Sequence, residues 1–371
     1  MNKKIFSVVL LLSAISVEAV QTRLAQEVNQ ISSEDIYGNK QGKVSSPFPG
    51  SHALVGLEFL YWQANEDHLT YGNMVTGISK TNGATALDEE ELNLRFEWNP
   101  GFRVGLGYQF ANADDWDLNF IYTYMHNRAH GSKTADLNKA ETVFASWDPL
   151  FLGIVNIKGQ AKWKLNYNVL DAVVGKAYLI GTRLSARPFL GLRGAMIRQH
   201  YSANYASFFN GQNSNFKARS RFEGIGIRAG GDLFWHFTKH WGLCGDLSGA
   251  LLYGQFNVSQ SGLGNFPGKG DSFSIVPSGM KNRHFWKTVA TIQAAIGFTW
   301  ERFYHADKRR FALSLKYEIN EWFKQNQFFT MRNYLTAGNG GGGDQVPILA
   351  GSATDGDLGF QGATLRAELD F

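Results

Sequence analysis

Residues 101–124 read GFRVGLGYQFANADDWDLNFIYTY. Phe102, Val104, Leu106, Tyr108 and Phe110 alternate with Arg103, Gly105, Gly107 and Gln109. After a polar break, Trp116, Leu118, Phe120, Tyr122 and Tyr124 alternate with Asp117, Asn119, Ile121 and Thr123. Apolar residues at every second position over about ten residues mark a strand with one apolar face, whereas a helix would scatter them around its circumference. The pattern returns at Phe311, Leu313, Leu315, Tyr317 and Ile319.

Working outward, ten such segments are expected, at roughly 51–64, 94–111, 115–128, 160–179, 184–201, 220–237, 241–258, 284–302, 310–324 and 356–371. Their connections alternate in length. Those near 112–114, 180–183, 238–240 and 303–309 are short; those near 65–93, 129–159, 202–219, 259–283 and 325–355 are long and polar, the last carrying a glycine run at Gly338–Gly343. Strands running up and down in one layer place odd and even connections at opposite ends. Short turns at one end and long loops at the other define an outer-membrane barrel with periplasmic turns and extracellular loops. A sandwich gives no reason for loops to sort by length. A soluble lipocalin-type barrel would have to hold every ring inside. The expected fold is an all-β, transmembrane, antiparallel up-and-down barrel of about ten strands. Twelve are possible if residues 143–158 hide a further pair.

Composition agrees. Among 371 residues there are 41 Gly, 28 Phe, 14 Tyr and 10 Trp, yet mean hydropathy is −0.24. After the first 20 residues no apolar run approaches the ~20 that a membrane helix needs. With 36 Lys and Arg against 32 Asp and Glu, and the cations scattered, there is no nucleic-acid footprint. Lys3 and Lys4, the apolar stretch Ile5–Ile15 and Val17-Glu18-Ala19 predict a cleaved signal peptide over 1–19. Residues 20–50 read as a polar periplasmic leader, or a short amphipathic segment with Leu24, Val28 and Ile31, and residues 51–371 as the barrel. The lone Cys244 allows no internal disulfide.

The phases assign two faces. Lipid should meet the sets above together with Ile225, Ile227, Leu233, Leu243, Leu247, Leu251 and Tyr253, with Trp62, Trp98, Trp116, Trp163, Trp235, Trp241, Trp300 and Trp322 in interfacial girdles. The opposite face, the expected lumen, carries Glu58, Arg103, Asp117, Arg187, Arg193, Arg228, Asp232, Asp246, Gln293, Lys316, Glu318, Arg366, Glu368 and Asp370. Arg103, Asp117, Arg187, Arg193, Arg228, Asp232, Lys316 and Glu318 are the candidate selectivity residues, the arginines biasing a water-filled path towards anions. An internal salt-bridge network sealing the lumen is the other outcome, since ten strands enclose little more than the eight that side chains fill. Asp171 falls on the apolar phase of its strand and predicts a bulge. Leu365, Ala367, Leu369 and Phe371 alternate up to the terminal aromatic, as in the signal read by the barrel-assembly machinery.

Other patterns carry no chemistry. Gly224-Ile225-Gly226-Ile227-Arg228-Ala229 matches a dinucleotide fingerprint but lacks the helix it needs. Asp88-Glu89-Glu90-Glu91 reads as solvated loop. His126 and His130 lie too far apart on a strand, about 13 Å, to share a metal. An omptin-like protease would need rim carboxylate and histidine pairs; Asp67, His68 and His284 lie near the expected rims, though no sequence pattern selects them. No cofactor, metal or catalytic residue is predicted.

Phe59-Leu60-Tyr61-Trp62, Asn99-Pro100-Gly101-Phe102-Arg103-Val104-Gly105, Trp116-Asp117-Leu118, Leu170-Asp171, Arg187-Pro188-Phe189-Leu190-Gly191-Leu192-Arg193 and Gly224-Ile225-Gly226-Ile227-Arg228 together resemble the Legionella-type major outer membrane proteins, which occur also in chlamydia-like bacteria. The resemblance covers about residues 51–371 and implies a pore-forming, porin-like role. Cysteine-rich chlamydial relatives form disulfide-linked envelopes; a chain with only Cys244 departs from them. The expected function is therefore passive diffusion of small hydrophilic solutes by a major surface protein, with a closed-lumen adhesin or structural barrel, or a protease, as alternatives. Expected partners are outer-membrane lipid and lipopolysaccharide, the barrel-assembly machinery and, for an oligomer, further copies of the chain.

Overall fold

The computed structural model describes residues 51–81, 84–110, 115–147, 156–207, 213–267, 273–279, 283–304, 309–335, 347–353 and 355–371. The signal peptide, the leader and the Gly338–Gly343 run lie outside the described residues. Ten strands form the ring: β1 His52–Glu66, β2 Trp98–Phe110, β3 Trp116–Thr134, β4 Asn156–Lys176, β5 Leu184–Ser207, β6 Asn213–His236, β7 Trp241–Pro267, β8 Arg283–Tyr304, β9 Arg309–Asn326 and β10 Gly356–Asp370. Each pairs antiparallel with the next. β10 closes on β1, with Leu57 opposite Ala367 and Phe59 opposite Leu365. Backbone bonds between Ala53 and Phe371, at 2.8 and 3.0 Å, finish the seam. Closure matters because an unpaired edge in hydrocarbon has no water to satisfy it. The twelve-strand possibility is excluded: Glu141–Ala145 pairs outside the ring with Gly72–Thr81, which forms a hairpin with Ala84–Leu92.

The strands begin and end close to their expected boundaries at the short-turn end, and most run further at the other, β7 reaching Pro267; β2, starting at Trp98, and β10, starting at Gly356, do not. At the short end, Gly181 turns the chain with φ of 68°, a conformation that costs glycine nothing. The Thr238 hydroxyl accepts the Trp241 N–H at 3.0 Å in the next turn. Gly226 is required by a close approach, since a Cβ there would lie 1.9 Å from the Leu251 carbonyl oxygen of β7.

The outer surface carries the predicted apolar band. Leu57, Phe102, Leu106, Phe120, Leu170, Ile225, Ile227, Leu247, Leu251, Ile296, Phe298, Leu315, Leu365 and Leu369 are all exposed. Aromatic pairs fringe it, including Tyr61 stacked on Trp98 at 5.7 Å and Tyr253 on Trp286 at 5.2 Å. A cation in such a band costs about 2–4 kcal/mol at the midplane, and among the described residues these exposed apolar rows carry none. Trp98, Trp116, Trp235 and Trp241 are exposed as girdle residues should be. Trp62, Trp163 and Trp322 are not: all three point inward and are fully buried. The girdle assignment is corrected for them, because above the membrane band the strands turn their apolar phase into the barrel.

That inversion also removes the expected bulge. Trp163, Leu165, Tyr167, Val169, Asp171 and Val173 share one phase of β4, all buried and all inward. β4 pairs with β5 without a register break from Gly159 to Gly175. The apolar phase and the charged residue were on the same face throughout.

Candidate functional site

Every lumenal residue named above points into the barrel. Near the periplasmic end they line, with Asp171 and Glu301, a cavity of about 310 Å³ reaching down to His52, His236 and Asp370 at the strand ends. Glu318 closes its wall behind Arg103. The side chains of Asp232, Arg366 and Asp246 keep 39, 31 and 30% of their surface accessible, so solvent reaches this chamber.

The charges are organised in linked clusters. Arg187 bridges Asp117 and Asp232, each at 2.8 Å. Arg193 forks onto Asp171 at 2.7 and 3.0 Å and donates to Thr291, while Arg228 reaches the same carboxylate at 2.6 Å and Ser248 at 3.1 Å. Arg103 joins Glu58 at 2.5 Å to Glu318 at 3.1 Å. Lys316 binds Asp246 at 2.5 Å. Arg366 contacts Glu58 and Glu368, and Arg310 gathers Glu368, Asp370 and Glu301. His236 completes the chain on Glu301 at 2.7 Å. Among the described residues these clusters join seven Arg and Lys to nine Asp and Glu. The arginines thus carry their own counter-charges, and anion preference does not follow from their presence.

Pairing is the physical condition for burying these groups. An ion in a low-dielectric wall costs several kcal/mol unless a partner and further hydrogen bonds offset it. Asp171, Glu301, Arg310 and His236 were missing from the candidate set. Asp171 stands out in the sequence, where its place on the apolar phase suggests a bulge instead of a lumenal charge. Glu301 and Arg310 continue the inward phases of Thr299 and Ala312, which the sequence does mark.

Above the chamber the lumen changes character. Arg103 lies under Trp62 at 5.4 Å. Trp62 packs on Phe360 at 5.9 Å, Phe360 on Tyr167 at 4.8 Å and Tyr167 on Trp322 at 5.6 Å. Two of the three polar rings are tied down: Trp62 Nε1 donates to Thr364 at 3.1 Å and Asn320 donates to the Tyr167 hydroxyl at 3.3 Å, while the buried Trp322 indole N–H has no partner among the described residues. Leu60, Met125, Leu165, Ile197, Leu252 and Val289 fill the gaps, all fully buried. Higher still, Phe222 meets Phe256 at 4.7 Å, and two side chains from the connections reach in as a lid. Trp147 packs on Tyr201 at 4.9 Å and Phe216 at 5.1 Å, with Phe328 beside them. Trp147 donates to the Thr70 carbonyl at 2.7 Å and the Tyr205 hydroxyl to the Tyr71 carbonyl at 2.5 Å.

Among the described residues no hydrogen bond or ion pair links His284 to Asp67 or His68. His284 bonds Asn257 on β7, whereas the backbone of Asp67 bonds Asp357 and Asn326. Among the described residues no group of three or more His, Cys, Asp and Glu is placed to hold a metal ion, and no helix is long and apolar enough to cross a membrane.

A closed antiparallel ring with an apolar outer band and charged interior defines an outer-membrane β-barrel protein. The chain belongs to the family described as Legionella pneumophila major outer membrane protein precursor, whose model matches residues 47–371. It is accordingly a protein of the outer membrane. No curated protein matches it. Among solved structures it is similar to the outer membrane protease OmpT from Escherichia coli, with 10% identity and a TM-score of 0.35 over 86% of this chain and 96% of that one. It is similar also to a Pseudomonas aeruginosa FadL homologue, with 10% identity and a TM-score of 0.27 over 86% and 90%. Likenesses this distant carry no weight on function.

Proposed function

We propose that this protein is a porin-like, non-enzymatic surface barrel. In this reading it passes small hydrophilic solutes by diffusion through a charged inner chamber, which an aromatic stopper closes on the outer side. The observation that carries the reading is the solvent-reachable chamber, whose charged side chains span the inner part of the membrane band. A structural barrel that never opens would gain nothing from keeping Asp232, Asp246 and Arg366 wet. Selectivity rests on the balance of paired charges, in which carboxylates outnumber cations, so the path favours neither sign strongly and leans to cations.

A second reading has its own support. The stopper of Trp62, Tyr167, Trp322 and Phe360 is packed like a protein interior, which suits a closed-lumen surface protein. Planar-bilayer recording separates the two. The channel reading expects small, intermittent conductance steps from refolded protein and larger, sustained ones from Trp62→Ala/Phe360→Ala. No conductance at any voltage from either protein would leave only the closed-lumen reading. Reversal potentials in a salt gradient should be near zero or slightly cation-selective. A strongly anion-selective value would return the arginines Arg103, Arg193 and Arg228 to the role first expected for them.

A further inference from the structure

Above the apolar band, one outer face of the barrel carries an unbalanced lattice of cations. Register places Tyr122, Leu170, Gly194, Ile225 and Tyr253 in one row across β3 to β7, at the upper margin of the band. Four residues further up each strand, alternating about the ring, the outward row is His126, Asn166, Arg198, Arg221 and Asn257. The next outward row is Arg128, Lys164, His200 and Arg219, and the one beyond it begins His130, Lys162, Ser202 and Lys217. Rows two residues apart are separated by about 6.6 Å along the strands, and neighbours across them by about 4.8 Å, so these cations form a continuous patch.

The side chains of Arg128, Lys162, Lys164, Arg198, Lys217 and Arg219 are exposed. Arg221 is paired with Glu223 and His130 with Glu97. By contrast Arg128 only donates to His126 at 3.1 Å and Arg198 to the Met196 sulfur at 3.2 Å. Among the described residues no carboxylate pairs with Lys164, Arg198 or Arg219. The opposite face of the barrel, at the level above Tyr61 and Tyr317, presents Gln63, Asn65, Gln361 and Glu321 and no such lattice.

From this juxtaposition we infer that the β3–β6 face is a binding site for a phosphorylated glycolipid of the outer leaflet. Its phosphates sit on Arg128, Lys164, Arg198 and Arg219, and its acyl chains lie on Leu170, Leu192, Ile225 and Ile227 below. The charge is of the right sign and lies at headgroup height. It is continuous with the lipid-facing surface, and it lacks the protein counter-ions that every lumenal arginine has. Arginine and lysine at an interface each contribute about 1 kcal/mol towards an anionic lipid. The site is independent of whether the lumen conducts.

The test is native mass spectrometry of the refolded protein in detergent with bis-phosphorylated lipid A, its dephosphorylated counterpart and inorganic phosphate as competitor. Lys164→Gln/Arg198→Gln/Arg219→Gln should weaken bis-phosphorylated lipid A about a hundredfold. Lys324→Gln, at an exposed lysine of β9 that already faces Asp355 at 4.0 Å, should leave it unchanged. The substituted side chains are exposed, and retention of the heat-modifiable band on gels confirms that the barrel is intact. On the unmodified protein alone, removal of the phosphates should abolish preferential binding. The inference is overturned if dephosphorylated lipid binds equally well, or if the triple variant binds like the parent. It is overturned too if inorganic phosphate displaces the lipid at equal concentration, which would show a phosphate site with no use for the acyl chains.

Discussion

The inner and outer halves of the lumen are built from the same ten strands with the same two-residue period, and they solve opposite problems. In the inner half lipid wraps the barrel, so the apolar phase faces out and the polar phase, paired as Arg187 with Asp117 and Asp232, faces in. In the outer half water or headgroups surround the barrel. There the apolar phase of Trp163, Leu165 and Tyr167 turns inward and Lys162 and Lys164 face out. Nothing in the backbone changes between the halves. The solvent outside decides which phase is the core, and the sequence obeys by exchanging residue types along a strand without shifting register.

Substitutions at matched positions break or sharpen this contrast. The largest effect should follow Asp171→Asn, which strips the shared partner from Arg193 and Arg228 and leaves two buried cations uncompensated. The expected loss is about 3–5 kcal/mol in urea unfolding from liposomes. Replacing Arg193 and Arg228 by Gln in the same chain should recover part of it, and no recovery would mean that charge balance is not what holds the inner half. Phe222→Ala in the outer half removes a fully buried ring and should cost about 3–4 kcal/mol through the cavity it leaves. A cost under about 1 kcal/mol would show that the stopper is loosely packed. Leu251→Arg, on the lipid-facing side of β7, should cost about 2–4 kcal/mol. Smallest is Lys164→Gln on the exterior of the outer half, expected within about 0.5 kcal/mol; a large loss there would place that face against protein instead of solvent.

Much of the fold was readable from the residues. Alternation located all ten strands, loop lengths oriented them, and the phases of β1, β2, β3, β9 and β10 identified lipid contacts such as Phe102 and Leu315 correctly. The site was readable only in outline. Alternation separates two faces but does not say which is inside, so Trp62, Trp163 and Trp322 were misassigned to girdles. Asp171, sharing a phase with Tyr167, held the clue in plain view. An internal salt-bridge network was expected as one outcome, but its long-range partners were not readable, because Arg103 finds Glu318 and Arg193 finds Thr291 only across the lumen. Trp147 and Phe328, which seal the top, come from connections without periodicity.

The central claim is that solvent reaches the inner lumen and is excluded from the outer. Gln293 and Val289 lie four residues apart on the same face of β8, one lining the chamber and the other fully buried under the stopper. In a Cys244→Ser background, Gln293→Cys and Val289→Cys should be labelled at very different rates by a small charged methanethiosulfonate reagent applied to refolded protein. The account predicts modification of position 293 at least about tenfold faster. Equal rates at the two positions would contradict it and make the lumen continuous from end to end.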